Sequence, residues 1–246
     1  MTLVIGMYYD NKKGALIATD SRMVADFEIF PPVQKIFKIE NSVFAFAGVV
    51  SLRDEIIENL RSRLKDEEVR EKILEIYTEI RDKYTTGDNP AFTKNGFLCQ
   101  TMFSFYKEDR PYLAATDDKG IIDPFYNGFA TMGQDGYVKI ILRQIYQESL
   151  SKQQAINIAA YSISETAKIN SGVDENIQLA IIDEKGTNIF NYENGKFNFQ
   201  RPEFEEVKKR MKSAAEWQRI ALNTLVNGKE EDRSRLEKLL GEVNSQ

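Results

Sequence analysis

The sequence predicts an α+β protein in which strands and helices are grouped rather than alternating. Period-2 apolar stretches precede two amphipathic helical stretches, and strands followed by two helices then occur again before two last strands. Grouped runs of this kind favour layered sheets and helices over βαβ units. The 246 residues, of which 42% are hydrophobic and 29% charged, provide enough apolar material for a sizeable core.

The predicted elements begin almost at the first residue. Apolar stretches at 3–9 and 15–18 flank a polar turn and predict a β-hairpin, and stretches at 35–39 and 42–47 predict a second strand pair. Ser51 is the predicted N-cap of the first helix, because Asp54 follows three residues later. The remaining predicted elements are a helix at 68–84, a loop at 85–95, strands at 97–106, 111–116 and 128–132, helices at 136–148 and 151–169, and strands at 177–182 and 188–192.

The C-terminal region is predicted to lie outside the main domain, which spans residues 1–200. Residues 201–246 are highly charged and have a helical pattern with a break at Asn227-Gly228 and a regularly spaced apolar face near the end. Two interpretations are open. The region is an amphipathic helical hairpin packed on its own domain, or it is an element for assembly or partner docking.

Composition limits the classes of function. The formal net charge of −5 gives no electrostatic reason to expect a nucleic acid or an acidic membrane as a partner. No apolar run approaches the roughly 20 residues of a transmembrane helix, and no secretory signal pattern is visible. The single cysteine, Cys99, cannot form an intrachain disulfide, and these features together predict a cytoplasmic protein.

The chain contains no histidine. Ser-His-Asp and Cys-His sites and histidine metal sites are therefore excluded within this chain. A hydrolase with this sequence would need a lysine, a carboxylate or a free α-amino group as its general base.

Thr2 offers such a group. Methionine aminopeptidases remove Met1 when the next residue is small, and this cleavage leaves a threonine whose hydroxyl and α-amine share one residue. The α-amine has an ordinary pKa of about 7.7–8.0, which suits a general base near neutral pH. Threonine is common at position two, however, so that Thr2 alone does not decide the function.

The residues after Thr2 resemble the proteasome β-subunit family of N-terminal-nucleophile (Ntn) hydrolases. The family has an N-terminal Thr, an Asp after the second strand, a Lys before an Ile-Phe strand and an Ala-Gly before the first helix. The matching residues are Thr2, Asp20 in the run Ala-Thr-Asp-Ser-Arg, Lys35 in the run Lys-Ile-Phe-Lys-Ile, and Gly48 after Phe-Ala. The resemblance is close over residues 1–65 and looser beyond, and it implies a four-layer αββα sandwich.

The resemblance implies a role for each matching residue. Thr2 would be the nucleophile, and Lys35 would lie beside its hydroxyl, where a positive charge favours the attacking alkoxide. Asp20 would pair with Lys35, the Gly48 N–H would donate to the oxyanion, and Arg22 would brace the site from outside. Taken singly, a turn aspartate, a solvated lysine and a turn glycine are alternative interpretations, but their joint order favours the site.

The resemblance also points to a substrate pocket. The positions that match the family's pocket are Met23, Val33, Phe46 and Val50, all of them apolar. Ordinary core positions are an equally good interpretation of these four residues.

Three positions depart from the family pattern. Family members usually carry an Asp and a Ser before the penultimate strand and a Ser after a Gly near the third helix, and these groups orient the α-amine. The best alignment places Asn170, Val173 and Gln134 there. A slip of one or two residues would bring Ser171 or Asp174 into these places.

The leading prediction is a threonine-type peptidase that acts on peptides or unfolded polypeptide within a homo-oligomeric ring. No metal or organic cofactor is expected, and an α-type ring or an ATPase as a further partner is left open. One alternative is a catalytically silent β-type subunit with a structural role. Another is an Ntn transpeptidase or ligase that passes the acyl group to an amine.

Overall fold

The apolar stretch that follows Thr2 forms a strand whose seven residues are all buried, and its hairpin partner is buried along its whole length too. The computed structural model describes residues 2–25, 28–30, 33–64, 69–85, 92–93, 96–97, 99–116, 122–125, 128–174, 176–190, 192–193 and 196–197. The predicted C-terminal helical region at 201–246 lies outside these residues, so that it and the domain boundary stay predictions.

The elements follow the predicted grouping of strands and helices. The first group contains β1 (Leu3–Tyr9), β2 (Gly14–Asp20), β3 (Met23–Ala25), β4 (Glu28–Phe30), β5 (Ile36–Ile39), β6 (Ser42–Gly48), α1 (Val50–Arg63) and α2 (Val69–Thr85). The second contains β7 (Phe92–Thr93), β8 (Gly96–Phe97), β9 (Cys99–Lys107), β10 (Arg110–Thr116), β11 (Ile122–Pro124), β12 (Phe129–Gly133), α3 (Gly136–Ile145) and α4 (Lys152–Ile169). The last contains β13 (Ile177–Asp183), β14 (Gly186–Phe190), β15 (Tyr192–Glu193) and β16 (Lys196–Phe197).

Two antiparallel five-stranded sheets form the centre of the described domain. The first sheet has the order β12-β1-β2-β13-β14, and the second has the order β11-β10-β9-β6-β5. The sheets face each other across an apolar interior to which both contribute alternate residues, among them Val4 and Tyr8 of β1 and Ala45 and Ala47 of β6. Gly6 keeps the sheets close, because an added Cβ would lie 2.4 Å from the sulfur of Met102.

Helices cover the outer face of each sheet. The other face of β6 and β9, with Phe44, Phe46 and Phe103, packs under α1 and α2 in a second apolar core. On the opposite side α4 packs against β1 and β2, and α3 packs against α4. The predicted α+β class and the four-layer αββα sandwich are therefore confirmed. Among the described residues, no helix is long and apolar enough to cross a membrane.

Some predicted element boundaries were wrong. Helix α1 begins at Val50 after Val49, which has no side-chain cap, so Ser51 lies inside the helix and is not its N-cap. Helix α3 ends at Ile145 rather than at 148. Ser151, by contrast, caps α4 in a complete capping box with Gln154.

Candidate active site

The last residue of β2, Asp20, contacts two of the other predicted site residues, Arg22 and Lys35. Its side chain is fully buried. One carboxylate oxygen accepts the Leu3 N–H at 2.9 Å, and the other accepts the Arg22 N–H at 3.0 Å and the Lys35 ammonium at 2.9 Å. Because Leu3 directly follows Thr2, Asp20 ties Lys35 to the start of β1.

Burial dominates the electrostatics of this pair. It lowers the pKa of Lys35 below its ordinary value, and the negative charges of Asp20 and Asp174 oppose it, whereas the nearby Arg22 charge acts in the same direction as burial. Burial likewise raises the pKa of Asp20, and Lys35 and the Leu3 N–H oppose that rise. Lys35 is therefore a buried lysine that depends on its neighbours to hold its proton.

Gln178 holds the chain segment that carries Lys35. This residue of β13 is 2% exposed and lies opposite Thr19 of β2. Its side-chain oxygen accepts the N–H groups of Lys35 at 2.7 Å and Ile36 at 3.2 Å, and its amide donates to the Val33 carbonyl at 2.5 Å. Gln178 is not among the residues predicted from the sequence, although a lone glutamine inside the otherwise apolar run Ile-Gln-Leu-Ala-Ile-Ile points to a polar contact.

The backbone of Thr2 is fixed by the end of β12. The Gln134 N–H donates to the Thr2 carbonyl oxygen at 2.9 Å. Gly133 has a φ of +79°, and a Cβ added there would lie 1.8 Å from the same oxygen and 3.6 Å from Cβ of Ala47. Gly133 therefore allows the chain to approach Thr2 as no larger residue could, close to the end of β6.

Gly48 occupies that end of β6. It is exposed, has a φ of +137° and pairs with Cys99 in the sheet just before α1 begins. This backbone conformation favours glycine over residues with a side chain. The donation of a hydrogen bond from the Gly48 N–H to an oxyanion stays a prediction.

Two of the three positions that depart from the family pattern meet beside Thr2. The Asn170 amide donates to the side-chain oxygen of Gln134 at 2.9 Å, and its own oxygen accepts the Gly172 N–H at 2.9 Å. Val173, the third, is 1% exposed. The Gln134 backbone N–H contacts the Thr2 carbonyl, and the side chains at these two positions form a neutral amide pair rather than a carboxylate and a hydroxyl.

Other polar residues between α4 and β13 contact the segment that follows β2. Arg22 donates from its guanidinium to the Ser171 carbonyl at 2.6 Å. Asp174, which is 7% exposed, accepts the N–H and the hydroxyl of Ser21. Arg22 thus contacts the segment after α4 at Ser171, and its bracing role stays a prediction.

The described residues do not test the predicted substrate pocket. Phe46 packs edge to face on Phe37 in the core under α1 and α2, which fits the core interpretation. Val50 is exposed at the first residue of α1, and Val33 is half-buried beside Gln178. The side chain of Met23 lies outside the described part of the structure, so the pocket stays a prediction.

Comparison with known proteins finds a family and a relative that this chain matches in sequence. The family described as proteasome subunit matches residues 2–182. A proteasome subunit beta from Haloquadratum walsbyi is 25% identical over 204 residues, which cover 78% of this chain and 77% of that protein.

Solved structures show the same fold. Anbu, described as an ancestral beta-subunit, from Yersinia bercovieri has a TM-score of 0.67 at 17% identity, with 87% of this chain and 94% of that chain covered. A mutant of Anbu from Hyphomicrobium sp. strain MC1 has a TM-score of 0.68 at 16% identity, with 88% and 95% covered. A helical assembly of the Anbu complex from Pseudomonas aeruginosa has a TM-score of 0.67 at 16% identity, with 87% and 94% covered.

Proposed function

The chain belongs to the proteasome subunit family, and from this premise we propose that it is a threonine-type peptidase whose nucleophile is Thr2 after removal of Met1. One observation carries the proposal. The buried Asp20 carboxylate bonds at once to the Lys35 ammonium and to the N–H of Leu3, the residue that follows Thr2. A buried lysine is costly unless it is paired, and the place of Lys35 beside the first residue of β1 supports a chemical role for it.

The proposed reaction uses the α-amine of Thr2 as its base. The amine takes the hydroxyl proton, the oxygen attacks the substrate carbonyl carbon, and the Lys35 charge favours the forming alkoxide. The Gly48 N–H donates to the oxyanion. The protonated α-amine of Thr2 then gives its proton to the leaving amine of the substrate. Water hydrolyses the resulting ester and regenerates the Thr2 hydroxyl.

We further propose that the substrate is peptide or unfolded polypeptide and that the chain works as a homo-oligomer in the cytoplasm. The relatives support the oligomer, because the Anbu complex from Pseudomonas aeruginosa forms a helical assembly. An α-type ring or an ATPase as a further partner has no specific support in the described residues.

Labelling with an electrophilic peptide inhibitor tests the enzymatic proposal. Protein whose N-terminus is confirmed as Thr2 should gain the mass of one inhibitor, and peptide mapping should locate the adduct on Thr2. The matched control is Thr2→Ala, which keeps a small residue for Met1 removal and lacks the nucleophile. An intact Thr2 N-terminus that forms no adduct with any tested peptide would remove the proposal.

A catalytically silent subunit is the second candidate, and the pair of Asn170 and Gln134 favours it. No carboxylate is present in that pair to orient the α-amine, and Val173 offers no hydroxyl. The intact mass of the protein from its native cell separates the candidates. Retained Met1 supports a structural role, because an acylated Thr2 nitrogen cannot act as a base, whereas a mass lower by one methionine supports catalysis.

A further inference from the structure

Asp174 is a second buried carboxylate close to the Asp20–Lys35 pair, and the proposed reaction does not use it. It lies between α4 and β13 and is 7% exposed. One of its oxygens accepts the Ser21 N–H at 3.0 Å, and the other accepts the Ser21 hydroxyl at 3.1 Å and the Asn176 amide at 3.1 Å. The carboxylate is therefore held in place by three donors.

Ser21 connects this carboxylate to both members of the pair. It directly follows Asp20, and its carbonyl accepts the Val33 N–H at 2.9 Å, two residues before Lys35. The hydrogen bonds from Ser21 to Asp174 therefore fix the two chain segments from which Asp20 and Lys35 extend.

The charges around Lys35 come from several elements. Asp20 ends β2, Asp174 precedes β13, Arg22 follows β2, and the Thr2 α-amine adds a fourth group once Met1 is removed. Asp174 raises the pKa of Lys35 and so favours the ammonium, whereas Arg22 acts against it. The same Asp174 charge also raises the pKa of Asp20, as the smallest of the effects on that group. Burial also acts against the ammonium, so that Lys35 draws on a second negative charge besides Asp20.

We propose that Asp174 is a positioning residue for Lys35, which fixes the Asp20–Lys35 pair through Ser21 and supplies the second buried negative charge that keeps Lys35 charged. The inference rests on the proposed role of Lys35 in the reaction of Thr2. It assigns no contact with substrate to Asp174.

The first test is the pH dependence of Thr2 acylation by an electrophilic peptide, measured as a second-order rate constant between about pH 6 and about pH 10. The wild-type rate should fall at high pH as Lys35 loses its proton. Asp174→Asn removes the charge and keeps an acceptor, and it should move this fall to lower pH by about half a unit or more. Ser21→Ala keeps the charge and should lower the rate without a comparable shift.

The matched control is Asp183→Asn, which removes a buried carboxylate from the opposite end of β13. It should leave the pH profile at the wild-type position. An unshifted profile in folded Asp174→Asn, or an equal shift in Asp183→Asn, would overturn the inference. If Asp174→Asn does not fold, Asp174→Ser replaces it, because the smaller side chain keeps a hydrogen-bonding group without the charge.

A second measurement does not depend on activity. NMR titration of carbon-labelled lysine, with the Lys35 signal assigned through Lys35→Met, reports the pKa of Lys35 directly. Asp174→Asn should lower this pKa relative to the wild type, and an unchanged pKa contradicts the inference. Absence of acylation in the wild type with a shifted Lys35 pKa in the variant would instead reject the proposed peptidase and keep the role of Asp174.

Discussion

The Lys35 ammonium lies 2.9 Å from Oδ2 of Asp20, and the two side chains are only 5% and 0% exposed. Removing two charges from water is costly, and the attraction between them only partly offsets this cost. A well-packed apolar pair would hold the same strands together at least as firmly. This ion pair is therefore weak evidence for added stability, which agrees with the role proposed for it beside the start of β1.

The pair should behave differently when one or both partners are replaced. Asp20→Asn or Lys35→Met alone leaves a buried charge without its partner and should lower the free energy of unfolding by about 3–5 kcal/mol. The double variant removes both charges and should regain much of that loss. Denaturant unfolding of the four proteins measures the coupling, and additive losses would mean that the ion pair is not the unit of stability.

Gly133 should tolerate no side chain, whereas Gly136 should. Gly133→Ala places Cβ against the Thr2 carbonyl at a positive φ, so we expect it to displace Thr2 and to suppress inhibitor labelling. Gly136→Ala is the matched control, because an added Cβ there meets nothing within 4 Å at the first residue of α3. It should raise stability by about 0.5–1 kcal/mol and leave labelling unchanged. Normal labelling of Gly133→Ala would show that the strand end adapts without moving Thr2.

Gln178→Leu should remove the amide that holds the segment before β5. The Lys35 and Ile36 N–H groups and the Val33 carbonyl lose their bonds to Gln178 in a buried place, so we expect a loss of at least about 2 kcal/mol in the free energy of unfolding. The same substitution at the exposed Gln144 of α3 should have little effect. Inhibitor labelling should fall in Gln178→Leu at temperatures where the variant is still folded, because Lys35 is no longer held. Wild-type labelling in the folded variant would contradict a role in positioning Lys35.

The apolar periodicity predicted the α+β class, and the resemblance to the proteasome β-subunit family implied the four-layer sandwich. The short apolar runs at 3–9 and 42–47 were predicted as strands, and the structure confirms both. The predicted start of α1 was wrong. Ser51 and Asp54 have the spacing of a capping motif, but the chain turns into the helix at Gly48, where β6 ends. A local capping motif does not show where the preceding strand ends, and that end determines where the helix begins.

The site was only partly predictable for a similar reason. Asp20 and Lys35 were predicted as a pair from the resemblance, and the structure brings them into contact. Gln178 and Asp174 contact the segments that carry this pair from positions that are distant in sequence. Gln178 carries no motif, and Asp174 was named only as an alternative in the alignment of its loop. Both side chains bond to backbone groups that have no hydrogen-bond partner within the described sheets. The pairing of the strands determines which backbone groups these are.

Asp183 provides a pH-dependent prediction at the far end of the first sheet. Burial would raise its pKa, but the Lys152 ammonium at 2.7 Å, the Lys185 N–H and the Tyr9 hydroxyl together lower it below its ordinary value. Because the folded pKa is lower than the unfolded pKa of about 3.9, the stabilisation is present above that pH and is lost as the pH falls through the folded pKa.

Asp183→Asn should therefore lower the free energy of unfolding near neutral pH and have less effect in acid. The contribution of the ion pair should be about 1 kcal/mol or less, since the Lys152 side chain is 43% exposed and partly screened by water. Denaturant unfolding of wild type and variant at several pH values, with Lys152→Met as the matched partner, measures the difference. A gap between wild type and Asp183→Asn that stays constant from neutral pH into acid would mean that packing, rather than the carboxylate charge, gives Asp183 its effect.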